Sequence, residues 1–357
     1  MKAAIISLGS TSSKWTAEAM EKYFDSVDLI DLKGIEVNLS SGKSIVLYDG
    51  KPLNDYDCIL AKGSFRYAQT LRAVTGALYP TTYMPIKAGA FTAGHDKLLT
   101  HLFLQQSKIP MPTTYLTSSP TAAKKILKKV NYPIIFKFPS GTGGKGVMYA
   151  ESYAAASSLM DALESLRQPF LIQEYIETSG EDIRAIVVGG KLVAAMKRKA
   201  VVGEKRANIH AGGEGEAFLP DAHMKKMAIE AAKAIGAEIC AVDILESIKG
   251  PVVIELNLSP GLQGITKATG VDVADKMAKY LYQRTKEYTE KGTKKNTVEV
   301  MKELNIDKSN EQQIVTNLDF RGERILLPKL VTDMCKFSDK NECIVKVKKG
   351  KIEIEKI

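Results

Sequence analysis

The sequence has no long hydrophobic run and little cysteine, histidine or tryptophan. Its 357 residues include four cysteines, four histidines and one tryptophan. No apolar stretch approaches the roughly 20 residues of a membrane-spanning helix. The N-terminal segment MKAAIISLGS has a short apolar core and reads as a first β-strand. We therefore expect a cytoplasmic protein without a membrane partner.

The four cysteines are scattered, at positions 58, 240, 335 and 343. They form no CxxC pair and have no histidine partner at metal-ligand spacing, which argues against a zinc site and against a disulfide framework. We expect all four to be small apolar residues of the cores. The formal charge of +9 comes from lysine and glutamate mixed along the chain. That balance favours an anionic partner but is too dispersed to indicate nucleic acid.

Two short strands are predicted to carry the ligands of a metal ion. Glu255 and Asn257 alternate with apolar residues in VVIELNL, so both point to one face, and Asp243 lies on the preceding apolar run. Two carboxylates and an amide oxygen suit Mg²⁺, which takes its remaining ligands from substrate phosphates. The alternative is three polar residues facing water. The tight turn at 259–261 directly after the strand favours the metal site.

A glycine-rich segment at residues 140–146 follows the predicted strand YPIIFKFPS. Neither a P-loop nor a Rossmann fingerprint fits, because both need a helix at once and here the strand GVMYA follows. The pattern fits a glycine-rich hairpin that closes over phosphates, with Lys137 and Lys145 adding charge. A glycine-rich hairpin by itself does not decide whether the segment binds phosphate.

The strand FLIQEYIET is predicted to border an adenine pocket. Its exposed end offers backbone groups to a planar heterocycle, Tyr175 and Ile176 offer apolar walls, and Asp182 can accept ribose hydroxyls. The polar residues that follow are candidates for phosphate or substrate contacts, although each alone reads equally well as a surface group. They are Arg198, Arg206, Asn208 and His210.

Residues 1–92 are predicted to form an α/β domain. The segment ends with a strand that runs into Ala61-Lys62-Gly63-Ser64. A glycine at the carboxyl end of a strand is where open α/β sheets place ligands, but an ordinary strand-to-helix turn is equally consistent with the pattern.

Seven segments, in this order, resemble the ATP-grasp ligases and, within them, the family of the ribosomal protein S6 glutamate ligase. They are HDKLLTHLFL, FKFPSGTGGKGV, LIQEYIE, EDIRAIVVGGKLVAAMKR, RANIHAGGEG, AVDIL and IELNLSPGLQGITKATGVDVADKM. The resemblance implies an α/β and α+β protein. An N-terminal α/β domain (1–92) would precede an ATP-grasp domain of two subdomains (93–288), with its lid at about 120–176.

The resemblance also implies which residues hold the nucleotide and the metal. The residues that would contact ATP are Lys97, Lys137, Ser140, Gly141, Thr142, Gly143, Gly144, Lys145, Gly146, Glu174, Tyr175, Ile176, Asp182, Arg206, Ala207 and Asn208. Two Mg²⁺ or Mn²⁺ ions would lie at Asp243, Glu255 and Asn257, with Glu255 shared. Arg184 and Arg198 are our candidates for steadying an acyl phosphate or an amino-acid carboxylate.

The implied activity is the ADP-forming ligation of an amino acid to a carboxylate. L-Glutamate is the expected amino acid, and a protein, peptide or cofactor the expected acceptor. The alternative is a DNA-binding regulator that senses nucleotide. Intact metal ligands argue against it, because a sensor does not need a phosphoryl-transfer site.

Residues 312–357, after a predicted linker (289–311), resemble the AbrB-type swapped-hairpin module. The shared pattern is a turn, an apolar strand, a helix starting near Pro328 and a terminal hairpin through Lys349-Gly350. Such modules intertwine two chains, and some bind DNA. Residues 286–357 contain 16 basic and 13 acidic side chains, a weak excess. We therefore favour a homo-oligomer over nucleic-acid binding.

Overall fold

The structure is a computed structural model that describes most of the chain. The described residues are 1–40, 43–79, 81–117, 119–141, 146–165, 167, 169–199, 214–303, 319–327, 335, 338, 342–349 and 351–356. The chain divides into two compact units, residues 1–292 and 293–357. None of the helices in the described ranges is both long and apolar enough to cross a membrane.

The first unit begins with the predicted α/β arrangement. Its elements are β1 (Lys2–Ser7), α1 (Thr11–Met20), β2 (Ser26–Asp31), β3 (Ile35–Ser40), β4 (Lys43–Tyr48), β5 (Lys51–Pro52), β6 (Cys58–Ala61) and α2 (Ala68–Leu78). Strands β2, β1 and β6 form a parallel sheet in that order, and β3, β4 and β5 form an antiparallel one. The parallel order brings the carboxyl ends of β1 and β6 side by side.

A four-stranded antiparallel sheet follows at residues 114–174. The elements of this part are α3 (Ala88–His95), α4 (Lys97–Gln106), β7 (Thr114–Leu116), α5 (Pro120–Leu127), β8 (Ile134–Lys137), β9 (Val147–Ala150), α6 (Tyr153–Ser165) and β10 (Leu171–Glu174). The strand order is β7-β10-β8-β9, and the sheet and helices α5 and α6 share a core that includes Phe136 and Met160. Strands β8 and β9 pair as the predicted hairpin around the glycine-rich segment.

A five-stranded antiparallel sheet is the largest in the first unit. The elements from here to residue 303 are β11 (Glu181–Val188), β12 (Lys191–Lys199), β13 (Glu214–Ala217), α7 (Ala222–Ile235), β14 (Ile239–Ser247), β15 (Gly250–Asn257), α8 (Gln263–Thr269) and α9 (Val273–Glu303). The order β13-β12-β11-β14-β15 places the predicted metal-ligand strands, β14 and β15, next to each other. The mixed α/β and α+β fold class is confirmed.

The predicted linker (289–311) begins within α9, which continues as a helix to Glu303. The sequence there has one glycine, Gly292, among lysines, glutamates and other helix-compatible residues. A single glycine lowers helix stability by only about 1 kcal/mol and does not end a helix by itself. The prediction that all cysteines are buried is also only half right. Cys58 and Cys240 are buried, whereas Cys335 and Cys343 in the second unit are exposed.

The described part of the second unit beyond α9 contains two antiparallel hairpins. They are formed by β16 (Asp319–Arg321) with β17 (Arg324–Leu326), and by β18 (Cys343–Lys348) with β19 (Lys351–Lys356). The second is the predicted terminal hairpin. The helix expected near Pro328 lies outside the described residues. The resemblance to an AbrB-type module remains a prediction.

Candidate active site

A cavity of about 590 Å³ is lined by the parallel sheet β2-β1-β6, the four-stranded sheet and the five-stranded sheet of the first unit. Most of the described site residues line it. They are Lys97, Lys137, Gly141, Glu174, Tyr175, Ile176, Asp182, Arg184, Arg198, Asp243, Glu255 and Asn257. Two predicted residues, Ser140 and Gly146, flank it without lining it. The remaining candidates lie outside the described residues. They are Thr142, Gly143, Gly144, Lys145, Arg206, Ala207, Asn208 and His210.

A row of charged side chains crosses the five-stranded sheet. Arg184 of β11 lies opposite Asp243 of β14, and Asp243 lies opposite Glu255 of β15. In the neighbouring position Asp182 of β11 lies opposite Arg198 of β12. Side chains opposite each other in antiparallel strands are about 5 Å apart at Cβ, so the register alone brings the row together.

Asp243 is held by two arginines. The Arg184 guanidinium donates from Nε to Oδ1 at 2.8 Å and from Nη2 to Oδ2 at 2.7 Å. Arg198 Nη2 lies 3.0 Å from the same Oδ2 and also forms a two-bond pair with Asp182. Such forked contacts are the strongest that arginine makes with carboxylates. The two acids and two arginines therefore form one rigid, charge-balanced cluster.

The arginines decide the charge of the two aspartates. Burial raises the pKa of Asp243, but the charges and hydrogen bonds of Arg184 and Arg198 outweigh it and hold that pKa well below its usual value. Burial and the charge of Asp243 raise the pKa of Asp182 to about 6, although Arg198 opposes the shift. Asp243 is thus a fixed anion. Asp182 reaches the cavity with both oxygens bonded to Arg198, so its predicted ribose contact remains a prediction.

Glu255 is the acid in this row whose charge is not balanced by a direct partner. No residue in the described part of the chain donates a hydrogen bond to its carboxylate or forms an ion pair with it. Burial and the nearby charge of Asp243 raise its pKa, although the charges of Lys97, Lys137 and Arg184 oppose the shift. A half-buried carboxylate beside a second anion, facing a cavity, is the environment that a divalent cation would stabilise.

The donor set fits Mg²⁺ or Mn²⁺ that is shared with a nucleotide. The third oxygen comes from Asn257, whose Oδ1 accepts from the backbone N–H of Ser259 at 2.8 Å within the predicted turn. Across the described ranges, no three His, Cys, Asp or Glu side chains cluster to hold a metal by themselves. Two carboxylates and one amide, each giving one oxygen, leave half of an octahedral shell to water and phosphate oxygens.

A buried polar network between α4 and the four-stranded sheet was not predicted from the sequence. Lys137 Nζ donates to Gln173 Oε1 at 2.5 Å, and Gln173 Nε2 bonds to Thr114 Oγ1 and to His101 Nε2. His101 Nδ1 in turn contacts the backbone oxygen of Lys97. The available signal was the spacing of Lys97 and His101, which are four apart on one helix face. The network ties α4 to strands β7, β8 and β10.

Two of the three predicted phosphate-binding lysines, Lys97 and Lys137, line the cavity, and the third, Lys145, lies outside the described residues. Lys97 Nζ donates to the backbone oxygen of Gly141 at 3.0 Å, at the start of the glycine-rich segment. Burial lowers the pKa of Lys137 to about 8. Gly146, which ends the segment, has φ +78° and packs against the Phe138 ring, so a side chain there would clash.

The end of β10 lines the cavity, and its role as an adenine wall remains a prediction. Glu174, Tyr175 and Ile176 line the cavity, and the Tyr175 ring packs edge-on against Tyr149 at 5.2 Å between centroids. The backbone N–H of Glu174 already donates to Thr113. The aromatic pair links β10 to β9.

Comparison with known proteins identifies the family. Residues 94–281 match the model of the RimK-like ATP-grasp domain. The chain is 37% identical over 286 residues to a probable α-L-glutamate ligase of Marinomonas sp. (strain MWYL1), covering 79% of this chain and 95% of that protein. It is also 37% identical over 290 residues to a probable α-L-glutamate ligase of Methanococcoides burtonii, covering 79% and 95%.

Solved structures show the same fold. A RimK-domain ATP-grasp protein from Sphaerobacter thermophilus superposes with TM-score 0.62 at 21% identity, covering 79% of this chain and 99% of that one. The ATP-grasp ligase PsnB, solved with a minimal precursor, Mg and ADP, gives TM-score 0.62 at 18% identity, covering 80% and 98%.

The protein belongs to the RimK-like ATP-grasp family. It is an ATP-dependent carboxylate–amine ligase. The comparisons give no support to the alternative of a DNA-binding nucleotide sensor.

Glu255→Gln should remove the Mg²⁺-dependent part of nucleotide binding without unfolding the protein. We expect ADP affinity in Mg²⁺ to fall about tenfold or more, because a charged ligand is lost. Thermal stability should stay equal or rise, since a poorly balanced buried charge disappears. Calorimetry with Mg²⁺ and with EDTA checks this. The control is Glu246→Gln on β14, outside the cavity; equal ADP binding by both variants would contradict the assignment.

The lowered pKa of Lys137 predicts that ADP binding weakens as the pH rises through about 8, because the neutral amine cannot pair with phosphate. The loss should be at most about tenfold per pH unit. Affinity is measured by calorimetry from about pH 7 to 10. Lys137→Met should bind ADP weakly at the lower pH and lose this dependence. A variant with the wild-type slope would show that another group titrates.

Proposed function

We propose that this ligase joins L-glutamate to a carboxylate of a protein, peptide or cofactor. The proposal rests first on the cavity in which Arg184, Asp243 and Glu255 form one row and Lys97 and Lys137 lie on the same cavity wall. The curated relatives named probable α-L-glutamate ligases, which the chain matches over nearly their whole length, support glutamate as the amino acid. The precursor bound to PsnB supports a peptide among the acceptors.

The reaction needs two displacements. A carboxylate is a poor electrophile, so its oxygen first attacks the γ-phosphorus of ATP, the bond to the β-phosphate oxygen breaks, and ADP leaves. The amine nitrogen of glutamate then attacks the acyl carbon, phosphate leaves with the bonding electrons, and the surplus proton of the nitrogen passes to solvent. The result is an amide, ADP and phosphate.

The basic residues of the cavity supply electrostatic stabilisation in these steps. Lys97 and Lys137 would neutralise phosphate oxygens. Lys97 contacts the backbone oxygen of Gly141, within the glycine-rich segment, which supports this role. Arg184 and Arg198 are oriented by Asp243 and Asp182, so their remaining N–H groups can steady an acyl phosphate or a carboxylate.

We propose that two Mg²⁺ or Mn²⁺ ions accompany ATP, held by Asp243, Glu255 and Asn257 with Glu255 shared. The unbalanced carboxylate of Glu255 supports this assignment. The ions would neutralise charge on the transferred phosphoryl group. We propose the cytoplasm, which supplies ATP, as the place of the reaction.

The test is ADP release with ATP, Mg²⁺ and each of the twenty amino acids, with and without extract of the source cells. Mass spectrometry then identifies any product that gains mass. We expect L-glutamate to stimulate release and the product to gain one or more glutamyl residues. The control replaces ATP with a non-hydrolysable analogue. If ATP binds but no amino acid or extract stimulates release, the ligase proposal is wrong.

We further propose that the chain forms a homo-oligomer through the β18–β19 hairpin. Apolar side chains are exposed along both strands, including Ile344, Val345 and Ile352, and Val347 is 72% exposed. A short apolar hairpin is marginal by itself, and pairing with the same hairpin of a second copy would cover it.

Light scattering of the full-length protein tests this. One chain has a mass of 39.0 kDa, so a dimer has twice that mass. Val347→Asp together with Ile352→Asp should give the single-chain mass, whereas the control Lys349→Asp at the turn should not. A wild-type protein with the single-chain mass at micromolar concentration would contradict the proposal, and a shift with duplex DNA would favour nucleic acid instead.

A further inference from the structure

The cavity continues beyond the row of charged side chains formed by Arg184, Asp243 and Glu255, to the carboxyl edge of the N-terminal parallel sheet. Its lining there comes from the ends of β1 and β6 and the start of α1, including Ser7, Ser10 and Lys62. Among the described residues 1–92 that line the cavity, Lys62 is the one with a charged side chain. The edge of a parallel sheet next to a helix N-terminus is a common position for an anionic ligand.

Lys62 is buried, and its ammonium group has no partner among the residues that the structure describes. The residue is 4% exposed and directly follows β6, and its backbone N–H donates to Ile6 of β1 at 2.9 Å. Within the described ranges no carboxylate pairs with its Nζ, and no hydrogen bond from Nζ is formed. Burial lowers its pKa to about 8. An unpaired buried cation is costly, and an anionic ligand would compensate for that cost.

This end of the cavity is built as part of the active site. Ser12 of α1 donates from Oγ to Gln263 Oε1 at 2.8 Å and accepts at Oγ from the backbone N–H of Leu262 at 2.8 Å. Leu262 and Gln263 follow the turn after β15, the strand that carries Glu255 and Asn257. The two hydrogen bonds therefore connect α1, next to the N-terminal sheet edge, to the residues that follow Glu255 and Asn257.

We propose that Lys62 is the anchor of a carboxylate subsite for the non-nucleotide substrate. This inference rests on the proposed ligase function. Lys97 and Lys137 are our candidates for the nucleotide phosphates, and Arg184 and Arg198 are already paired with Asp243 and Asp182. Lys62 is the cavity lysine at the other end. The other substrates of a carboxylate–amine ligase carry carboxylates. The subsite binds a carboxylate of the free amino acid or of the acceptor. That carboxylate takes no part in the ligation and serves to hold the substrate.

Binding of two probes separates these sources. L-Glutamate stands for the amino acid, and N-acetyl-L-glutamate, which has no free amine, stands for the acceptor. Each is titrated by calorimetry into the full-length protein with ADP and Mg²⁺. Lys62→Met keeps the aliphatic stem without the charge, and Lys62→Arg restores a charge. Lys51→Met, an exposed lysine of β5, is the matched control.

We expect Lys62→Met to lower the affinity for one of the two probes at least about tenfold, because one charged contact is lost. ADP affinity should stay within about twofold, which also shows that the variant is folded. Lys62→Arg should recover most of the loss, and Lys51→Met should bind like wild type. Loss confined to L-glutamate assigns the amino acid as the source, and loss confined to N-acetyl-L-glutamate assigns the acceptor.

Two results would overturn the subsite. One is a Lys62→Met variant that binds both probes with wild-type affinity. The other is a wild-type protein that binds neither probe. If either occurs while amino-acid-stimulated ADP release persists, the ligase function stands and only the subsite is wrong; absence of that release would count against the proposed function itself.

Discussion

The pairing of Asp243 with Arg184 and Arg198 is the contact on which the rest of the site depends. It lies in the middle of a five-stranded antiparallel sheet, and the strand register places Glu255 directly opposite Asp243. The arginines keep Asp243 ionised and are themselves occupied by it. Glu255 therefore lies beside a negative charge and has no direct cationic partner among the described residues. The same pairing orients the two arginine side chains towards the cavity, where we propose that the phosphoryl group is transferred.

The two other sheets bring their groups to this row by different means. The four-stranded sheet is joined to α4 through the buried side chains of Gln173 and His101. Lys97 of α4 and Lys137 of β8 therefore keep fixed positions relative to each other. The N-terminal sheet is joined through Ser12 and the residues after β15. One cavity can therefore hold a nucleotide, a metal and a second substrate in fixed relation, which is the main requirement of a reaction without a covalent enzyme intermediate.

Local patterns predicted the elements and much of the site. The alternation in VVIELNL and its following turn were enough to place Glu255 and Asn257 on one face, and pairing with the preceding strand then placed Asp243. What local patterns could not supply was the strand order. Arg184 and Asp243 are 59 residues apart, and their contact follows only from β11 lying between β12 and β14. The burial of Lys62 and Gln173 likewise depends on packing between sheets.

We propose that Asp243, Glu255 and Asn257 form half of a metal site and that the nucleotide supplies the rest. Electron paramagnetic resonance of Mn²⁺ titrated into the wild-type protein tests this directly, with and without a non-hydrolysable ATP analogue. Because two carboxylates and one amide leave the shell incomplete, we expect tight Mn²⁺ binding only when the analogue is present. If Mn²⁺ bound equally tightly without nucleotide, or failed to bind with it, these residues would not form the proposed shared site.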